Sequence, residues 1–273
     1  MQAQPNPAAP PAATPTPAEQ GAAATAYSKS CQTGARALAE ESALPNVAAA
    51  LSKSKTLRIL AMGAAPGRVG SRTGGYTGVI ETMLQRALKG TDVVIINRGV
   101  SGELAAGAAI RMRNEVALEN PDLVLWQVGT NDALAYVPVE EFAAVVSDQI
   151  AWLKRHHVDV VLVGLQFAPR MARDEHYVQI RETLRKIAAN ENVPVVRFYE
   201  AMQIVSGASE ETLPVAEEFE RNEGGYNCLA QYVARAITLG VFAKNLRQRK
   251  PEQAPAPPAP APAPAPAPPA PKQ

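Results

Sequence analysis

Residues 123–132, with the sequence LVLWQVGTND, join an apolar run to a turn of small and polar residues. The apolar half is rich in branched side chains, which is typical of a strand buried on both faces. The polar half carries an amide at Asn131 and a carboxylate at Asp132. Because open α/β sheets bind ligands in the crevice outside the carboxyl ends of their strands, the pattern predicts that this turn borders a binding site.

Further apolar runs and amphipathic segments alternate on either side of this strand. Short continuous apolar runs predict strands, and apolar residues at helical spacing predict helices. The predicted strands are residues 57–62, 92–97, 123–128, 158–165 and 193–198, and the predicted helices are residues 32–53 with a break near Pro45, 76–88, 103–119, 139–156, 174–190 and 226–241.

This alternation predicts one α/β domain whose parallel sheet is covered on both faces. Right-handed crossovers favour a flavodoxin-like three-layer α/β/α sandwich with a five-stranded sheet in the order 2-1-3-4-5. In that order the switch point lies between the first and third strands. The loops that follow these two strands, residues 63–75 and 129–134, therefore form the predicted crevice.

Both ends of the 273-residue chain differ in composition from its middle. Residues 1–26 and 248–273 are rich in Pro and Ala, which predicts disordered tails around a folded domain of residues 27–247. The formal net charge of +1 and the lack of a basic face argue against nucleic-acid binding. No apolar run reaches the roughly 18–20 residues of a transmembrane segment.

The two cysteines, Cys31 and Cys228, lie near opposite ends of the predicted domain. They are compatible with one disulfide or with two buried thiols, and a disulfide implies an oxidising compartment. Met1 is followed at once by a polar Pro/Ala segment, the pattern expected of a mature exported protein without its signal peptide. We therefore expect an exported, periplasmic protein.

Four short blocks occur in order on the predicted loops. They are NRGVSGE at 97–103, GTND at 129–132, QFAPR at 166–170, and an asparagine, glycine and tyrosine spaced over 222–226. Together they resemble the SGNH (GDSL-type) hydrolases over roughly residues 31–240. The resemblance implies the predicted fold and no metal or other cofactor. It also implies that the Gly102 amide and the Asn131 side chain stabilise an oxyanion.

The residues at the family's catalytic positions depart from the pattern. The family places a serine after the first strand, and an aspartate and a histidine before the last helix. This chain has Ala65, Glu217 and Glu220 at those positions. A methyl group cannot attack an ester, and loss of the nucleophile or the base costs on the order of 10⁶ in turnover in a serine hydrolase. The resemblance thus predicts a degenerate member that lacks the triad.

Other residues of the predicted crevice leave alternatives open. Ser71, on the same glycine-rich loop as Ala65, is either a substitute nucleophile or a solvated loop serine. Glu217 and Glu220 are solvated carboxylates, a general base for water, or oxygen ligands for a hard cation. His176 either lines the crevice or is an exposed loop residue. Asp132 is expected to accept hydrogen bonds from loop amides.

Two functional hypotheses follow from this pattern. The favoured one is a catalytically inactive protein that binds a small acyl or glycan group, or a protein partner, in the cell envelope, with the tails as spacers. The alternative is an active esterase, acyl hydrolase or acyltransferase with non-standard catalytic residues.

Overall fold

The computed structural model describes residues 31, 39–40, 42–63, 75–167, 171, 173–205 and 223–248. Within these ranges a single sheet runs through the molecule in the order β3-β2-β4-β5-β6-β1. The strands are β1 (Ala39–Glu40), β2 (Thr56–Gly63), β3 (Asp92–Asn97), β4 (Leu123–Gln127), β5 (Asp159–Val163) and β6 (Val195–Val196). The helices are α1 (Pro45–Lys53), α2 (Gly75–Ala87), α3 (Ala105–Glu119), α4 (Thr130–Leu134), α5 (Val139–Arg155), α6 (Glu175–Asn190), α7 (Phe198–Val205) and α8 (Glu223–Gln248).

The α/β class and the strand order predicted from the sequence are confirmed. Strands β2 to β6 are parallel, and counted from β2 they follow the order 2-1-3-4-5. One helical layer contains α1, α2 and α8, and the other contains α3, α5 and α6. Every side chain of β4 is buried between the two layers, which explains why this strand reads as an uninterrupted apolar run.

The register brings the loops after the central strands together. Gly63, the last residue of β2, pairs with Gln127, and Gln127 pairs with Val163 of β5. Asn97, the last residue of β3, pairs with Ala61. The chain therefore leaves β2, β3, β4 and β5 at the same edge of the sheet, where the sequence places its polar turns.

The first predicted helix, residues 32–53, is wrong at residues 39–40 and 42–44, whereas residues 32–38 and 41 lie outside the described residues. Ala39 and Glu40 form β1, which pairs antiparallel with Val196 and Val195 of β6. Strand β5 pairs with only one edge of β6, and β1 pairs with the other edge. Because this contact joins distant segments of the chain, helical periodicity does not indicate it. Helix α1 begins only at Pro45, a residue favoured in the first turn of a helix because it has no N–H to lose.

Two further predictions need correction. The fifth predicted strand, residues 193–198, is reduced to Val195–Val196, because Phe198 begins α7 and its apolar face at Phe198, Ala201 and Met202 has helical spacing. The predicted turn at 129–134 contains the short helix α4, which forms through local backbone hydrogen bonds such as Ala133 N to Gly129 O at 2.9 Å.

Of the two alternatives for the cysteines, the disulfide is confirmed, and Cys31 is bonded to Cys228. Both cysteines are buried, and the Tyr232 hydroxyl donates to the Cys31 carbonyl at 3.0 Å. The bond links the segment before β1 to α8 across 197 residues of sequence.

Among the helices of the described ranges, none combines the length and the apolar character that crossing a bilayer requires.

Candidate functional site

Glycines shape the edge of the sheet where the candidate site lies. Gly129 has φ 102°, and a Cβ there would lie 2.6 Å from Leu165 Cδ1. Gly63 has φ 89°, and a Cβ there would overlap the Gln127 carbonyl oxygen. Both positions combine a left-handed backbone with a close neighbour, so only glycine lets β2 and β4 end side by side.

Gly102 lies in a tight turn after β3. The Glu103 amide donates to the Val100 carbonyl at 3.4 Å, and Gly102 occupies the third position of that turn with φ 78°. A positive φ at this position is the reason that such turns carry glycine. No atom lies within 4 Å of the Cβ position of Gly102, so the backbone conformation, and not the space, selects the glycine.

The structure brings the two predicted oxyanion donors, Gly102 and Asn131, onto adjoining loops. Asn131 Nδ2 donates to the carbonyl of Glu103, the residue after Gly102, at 2.9 Å. A side-chain amide carries two hydrogens, so this bond leaves a second donor on the same nitrogen. Glu103 itself is held by Arg111, whose Nε and Nη2 donate to its two carboxylate oxygens at 2.9 and 2.7 Å. Sequence reasoning missed the ion pair between Glu103 and Arg111, because Glu103 precedes α3 and Arg111 lies within it.

Asp132 caps the neighbouring helix. Its carboxylate accepts a hydrogen bond from the amide of Ala105, the first residue of α3, at 2.9 Å. Asp132 is 2% exposed, and this burial raises its pKa, while hydrogen bonds from backbone amides oppose the rise. Since Leu104 at the N-cap position of α3 has no side-chain acceptor, Asp132 supplies it from the adjoining loop.

A second link, absent from the sequence predictions, joins the loop after β4 to the loop after β5. The Gln166 amide donates to Thr130 Oγ1 at 3.0 Å, and the Tyr177 hydroxyl donates to the Gln166 carbonyl at 2.6 Å. Burial raises the pKa of Tyr177, so its hydroxyl stays protonated as a donor. Gln166, the first residue of the QFAPR block, therefore supports the β4 turn through its backbone.

His176 belongs to a cluster with Tyr136 and Asp174. The Tyr136 hydroxyl donates to Asp174 Oδ2 at 2.7 Å, and the His176 ring stacks on the Tyr136 ring with centroids 5.2 Å apart. The hydrogen bond from Tyr136 lowers the pKa of Asp174, which also caps α6 by accepting the Tyr177 amide at 2.8 Å. His176 Nε2 is enclosed and has no hydrogen-bond partner.

The remaining candidate residues, Ala65, Ser71, Glu217 and Glu220, lie outside the described residues. Their predicted roles therefore stay predictions. Within the ranges that the structure describes, no group of three or more His, Cys, Asp or Glu side chains could hold a metal ion.

The fold and these loops define an SGNH/GDSL-like α/β hydrolase scaffold. Residues 30–243 match the model of the Non-GDSL lipase-like family, and the chain belongs to that family.

Curated relatives are esterases. The chain is 27% identical to an arylesterase of Vibrio mimicus over 135 residues, which are 47% of this chain and 67% of the arylesterase. It is 26% identical to esterase TesA of Pseudomonas aeruginosa over 120 residues, which are 43% of this chain and 59% of TesA. The chain is accordingly an esterase-like or GDSL-hydrolase-like protein.

Solved structures share the fold. The crystal structure of TesA superposes with a TM-score of 0.55 at 20% identity, covering 66% of this chain and 97% of TesA. The lipase/acylhydrolase of Enterococcus faecalis gives 0.53 at 22% identity, covering 67% of this chain and 95% of that chain. The acetyl xylan esterase AlAXEase gives 0.53 at 20% identity, covering 66% of this chain and all (100%) of that chain.

Proposed function

We propose that this protein is a catalytically inactive member of its family that binds an acyl or glycan group in the cell envelope. One observation carries the proposal. The family's triad positions hold Ala65, Glu217 and Glu220, whereas the donor positions Gly102 and Asn131 keep the residues that bind an oxyanion or a carbonyl oxygen. A chain with donors but without a nucleophile and a base retains binding and loses covalent chemistry.

The placement of the three histidines supports this proposal. His156 and His157 follow α5, at the end of the sheet opposite to the Asn131 turn. His176 stacks on Tyr136, and its Nε2 makes no hydrogen bond, so this nitrogen is not paired with a serine hydroxyl. A serine hydrolase needs an imidazole, or an equivalent base, within hydrogen-bond reach of its nucleophile.

The chemistry of the retained donors supports an acyl ligand. We infer that the second N–H of Asn131 and the amide of Gly102 donate to one carbonyl oxygen, as two donors do in an oxyanion hole. The relatives named as esterases and the neighbour named as an acetyl xylan esterase act on acyl groups, in the last case on a glycan. The same acyl and glycan classes are the ligands that we propose here.

The proposed envelope location is supported by the disulfide between Cys31 and Cys228, because such bonds persist in oxidising compartments. In this setting the Pro/Ala-rich ends, residues 1–26 and 248–273, would act as extended spacers around the domain.

Two measurements on the purified protein test the absence of turnover. We expect no hydrolysis of a short-chain nitrophenyl ester above background and no covalent labelling by a fluorophosphonate, because no activated serine is present. Labelling that is abolished in Ser71→Ala but persists in the matched control Ser101→Ala would establish the alternative, an active hydrolase or acyltransferase that uses Ser71.

A further inference from the structure

Three exposed apolar side chains, Val100, Leu134 and Tyr136, lie within a few residues of the two donors in the sequence. Among the described residues, the large apolar side chains that remain exposed are Val100, Ile110, Leu118, Leu134 and Tyr136. Val100 precedes Gly102 by two positions, and Leu134 follows Asn131 by three, on the same face of α4. Ile110 and Leu118 belong to α3 instead and serve below only as a comparison.

Tyr136 is the most exposed of the three apolar side chains near the donors, and contacts from α6 hold its ring. It is 59% exposed, and its φ of 53° is unfavourable for a bulky residue. Two contacts from the start of α6 orient the ring, namely the hydroxyl bond to Asp174 and the stack on His176. Because the His176 ring stacks on one face of the Tyr136 ring, the opposite face is the one left open to solvent.

The border of the Tyr136 ring is polar. Asp174 lies at the hydroxyl end, and it accepts hydrogen bonds from the Tyr136 hydroxyl and from the amides of Tyr177 and His176. A carboxylate oxygen carries two lone pairs, so Asp174 can still accept hydrogen bonds from a ligand. A flat apolar face with an acceptor at its edge complements a pyranose ring, which has an apolar C–H face and hydroxyl groups on its rim. A plain alkyl chain has no hydroxyl group that could donate a hydrogen bond to the Asp174 carboxylate.

We propose that Tyr136 is a stacking platform for one pyranose ring of an acylated oligosaccharide, with Asp174 accepting a hydrogen bond from a ring hydroxyl. Asn131 and Gly102 hold the acyl carbonyl of the same ligand, a part of the inference that rests on the proposed function. The rigid ring pays little conformational entropy on binding, as is usual for tyrosine at recognition surfaces.

The test titrates the full-length protein with xylotetraose and with acetylated xylotetraose, followed by calorimetry and by proton NMR of the sugar. Because Tyr136→Ala removes the ring face on which the sugar would stack, we expect it to weaken binding of both sugars by about tenfold, or about 1.4 kcal/mol. The wild-type protein should shift the sugar C–H resonances upfield through the ring current of Tyr136. Tyr136→Phe keeps the ring and should retain most of the affinity.

Controls separate this inference from the proposed function. Ile110→Ala removes an exposed apolar side chain of α3 and should leave both affinities unchanged. Asn131→Ala should weaken binding of the acetylated sugar alone. If Tyr136→Ala binds both sugars as tightly as the wild type, or if the wild type binds neither at millimolar concentration, the platform is wrong, whatever Asn131→Ala does. If the wild type hydrolyses the acetyl esters while Tyr136→Ala still loses affinity, the platform stands and the proposed lack of turnover fails.

Discussion

At the level of single residues, buried carboxylates supply acceptors that the local sequence lacks. Asp159, at the start of β5, accepts hydrogen bonds from the Asn46 and Val47 amides at 2.9 Å and from Asn46 Nδ2 at 2.8 Å. These groups belong to the first turn of α1, whose N-cap residue, Leu44, has no side-chain acceptor. Asp159 thus caps a helix from 113 residues away.

Removal of this cap should destabilise the fold. Asp159→Ala leaves buried amides without an acceptor, and we expect the free energy of unfolding to fall by about 1–3 kcal/mol. Asp159→Asn retains an acceptor oxygen and should cost less. Urea unfolding of both variants measures the difference, with the exposed Asp148→Asn as the control. Equal stability of Asp159→Ala and the wild type would contradict the capping role.

The same carboxyl predicts a dependence on pH. Burial raises the pKa of Asp159, with Asp122 adding to the rise and the hydrogen bonds opposing it. A raised pKa in the folded state means that the folded protein binds this proton more tightly than the unfolded chain does. The contribution of Asp159 to stability therefore falls as the pH rises from its unfolded pKa through its folded pKa. Across that pH window, the free energy of unfolding of the wild type should fall relative to that of Asp159→Asn.

Gly129 offers a test of the close packing beneath the β4 turn. Gly129→Ala places a methyl group against Leu165 in a left-handed backbone, and we expect a loss of about 2–4 kcal/mol. Gly90 is the matched control, because it also has a positive φ, 79°, but nothing lies within 4 Å of its Cβ position. Gly90→Ala should cost only the backbone strain, about 1–2 kcal/mol. Thermal or urea unfolding of the two variants compares them, and equal losses would mean that Leu165 moves aside at no cost.

At the level of elements, the ends of the chain are joined to the sheet by contacts that no single element contains. Strand β1 pairs with β6, and Cys31 is bonded to Cys228 of α8. The disulfide closes the chain over nearly all of the folded domain. A covalent link of this kind restricts the unfolded chain more strongly as the loop grows longer.

Loss of the disulfide should therefore be costly. For a sequence separation of 197 residues, the chain-entropy model assigns about 5 kcal/mol to the bond. We expect the double variant Cys31→Ser, Cys228→Ser to unfold at a markedly lower urea concentration than the oxidised protein. Reductant should lower the stability of the wild type towards that of the double variant and leave the variant unchanged. A wild type that is insensitive to reduction under denaturing conditions would argue against the bond.

At the level of the whole molecule, the proposed function requires that Gly102 and Asn131 still act as donors and that positions 65, 217 and 220 lack a nucleophile and a base. If the positions are assigned correctly, restoration of all three residues in Ala65→Ser, Glu217→Asp, Glu220→His should create ester hydrolysis. Because triad residues act as a unit, single changes should have little effect, whereas the triple variant should exceed the parent by about 10²-fold or more. Hydrolysis of a nitrophenyl ester measures the gain.

Asn131→Ala in the triple variant provides the control for the restored activity. Loss of one oxyanion donor costs about 10²–10³ in turnover, so the activity should largely disappear. A triple variant that folds but stays inactive would show that residues 65, 217 and 220 do not face the Asn131 turn.

Much of this architecture was predictable because it depends on local pattern. The apolar run Leu123–Gln127 indicates a strand buried on both faces, and the apolar residues of Val139–Arg155 recur at helical spacing on one face. The positions of Gly102 and Asn131 on adjoining loops followed from the strand order, because parallel strands end at one edge.

Contacts between distant segments could not be read in this way. The pairing of β1 with β6, the capping of α1 by Asp159, and the meeting of Tyr136 with Asp174 and His176 each join parts of the chain that local periodicity treats separately. Short elements such as β6 and α4 have too few residues to establish a period, so their neighbours decide their conformation. Local amino-acid pattern thus determined the α/β class and the placement of the Gly102 and Asn131 loops at one sheet edge, and packing between remote segments determined the caps, the edge strand and the contacts of Tyr136.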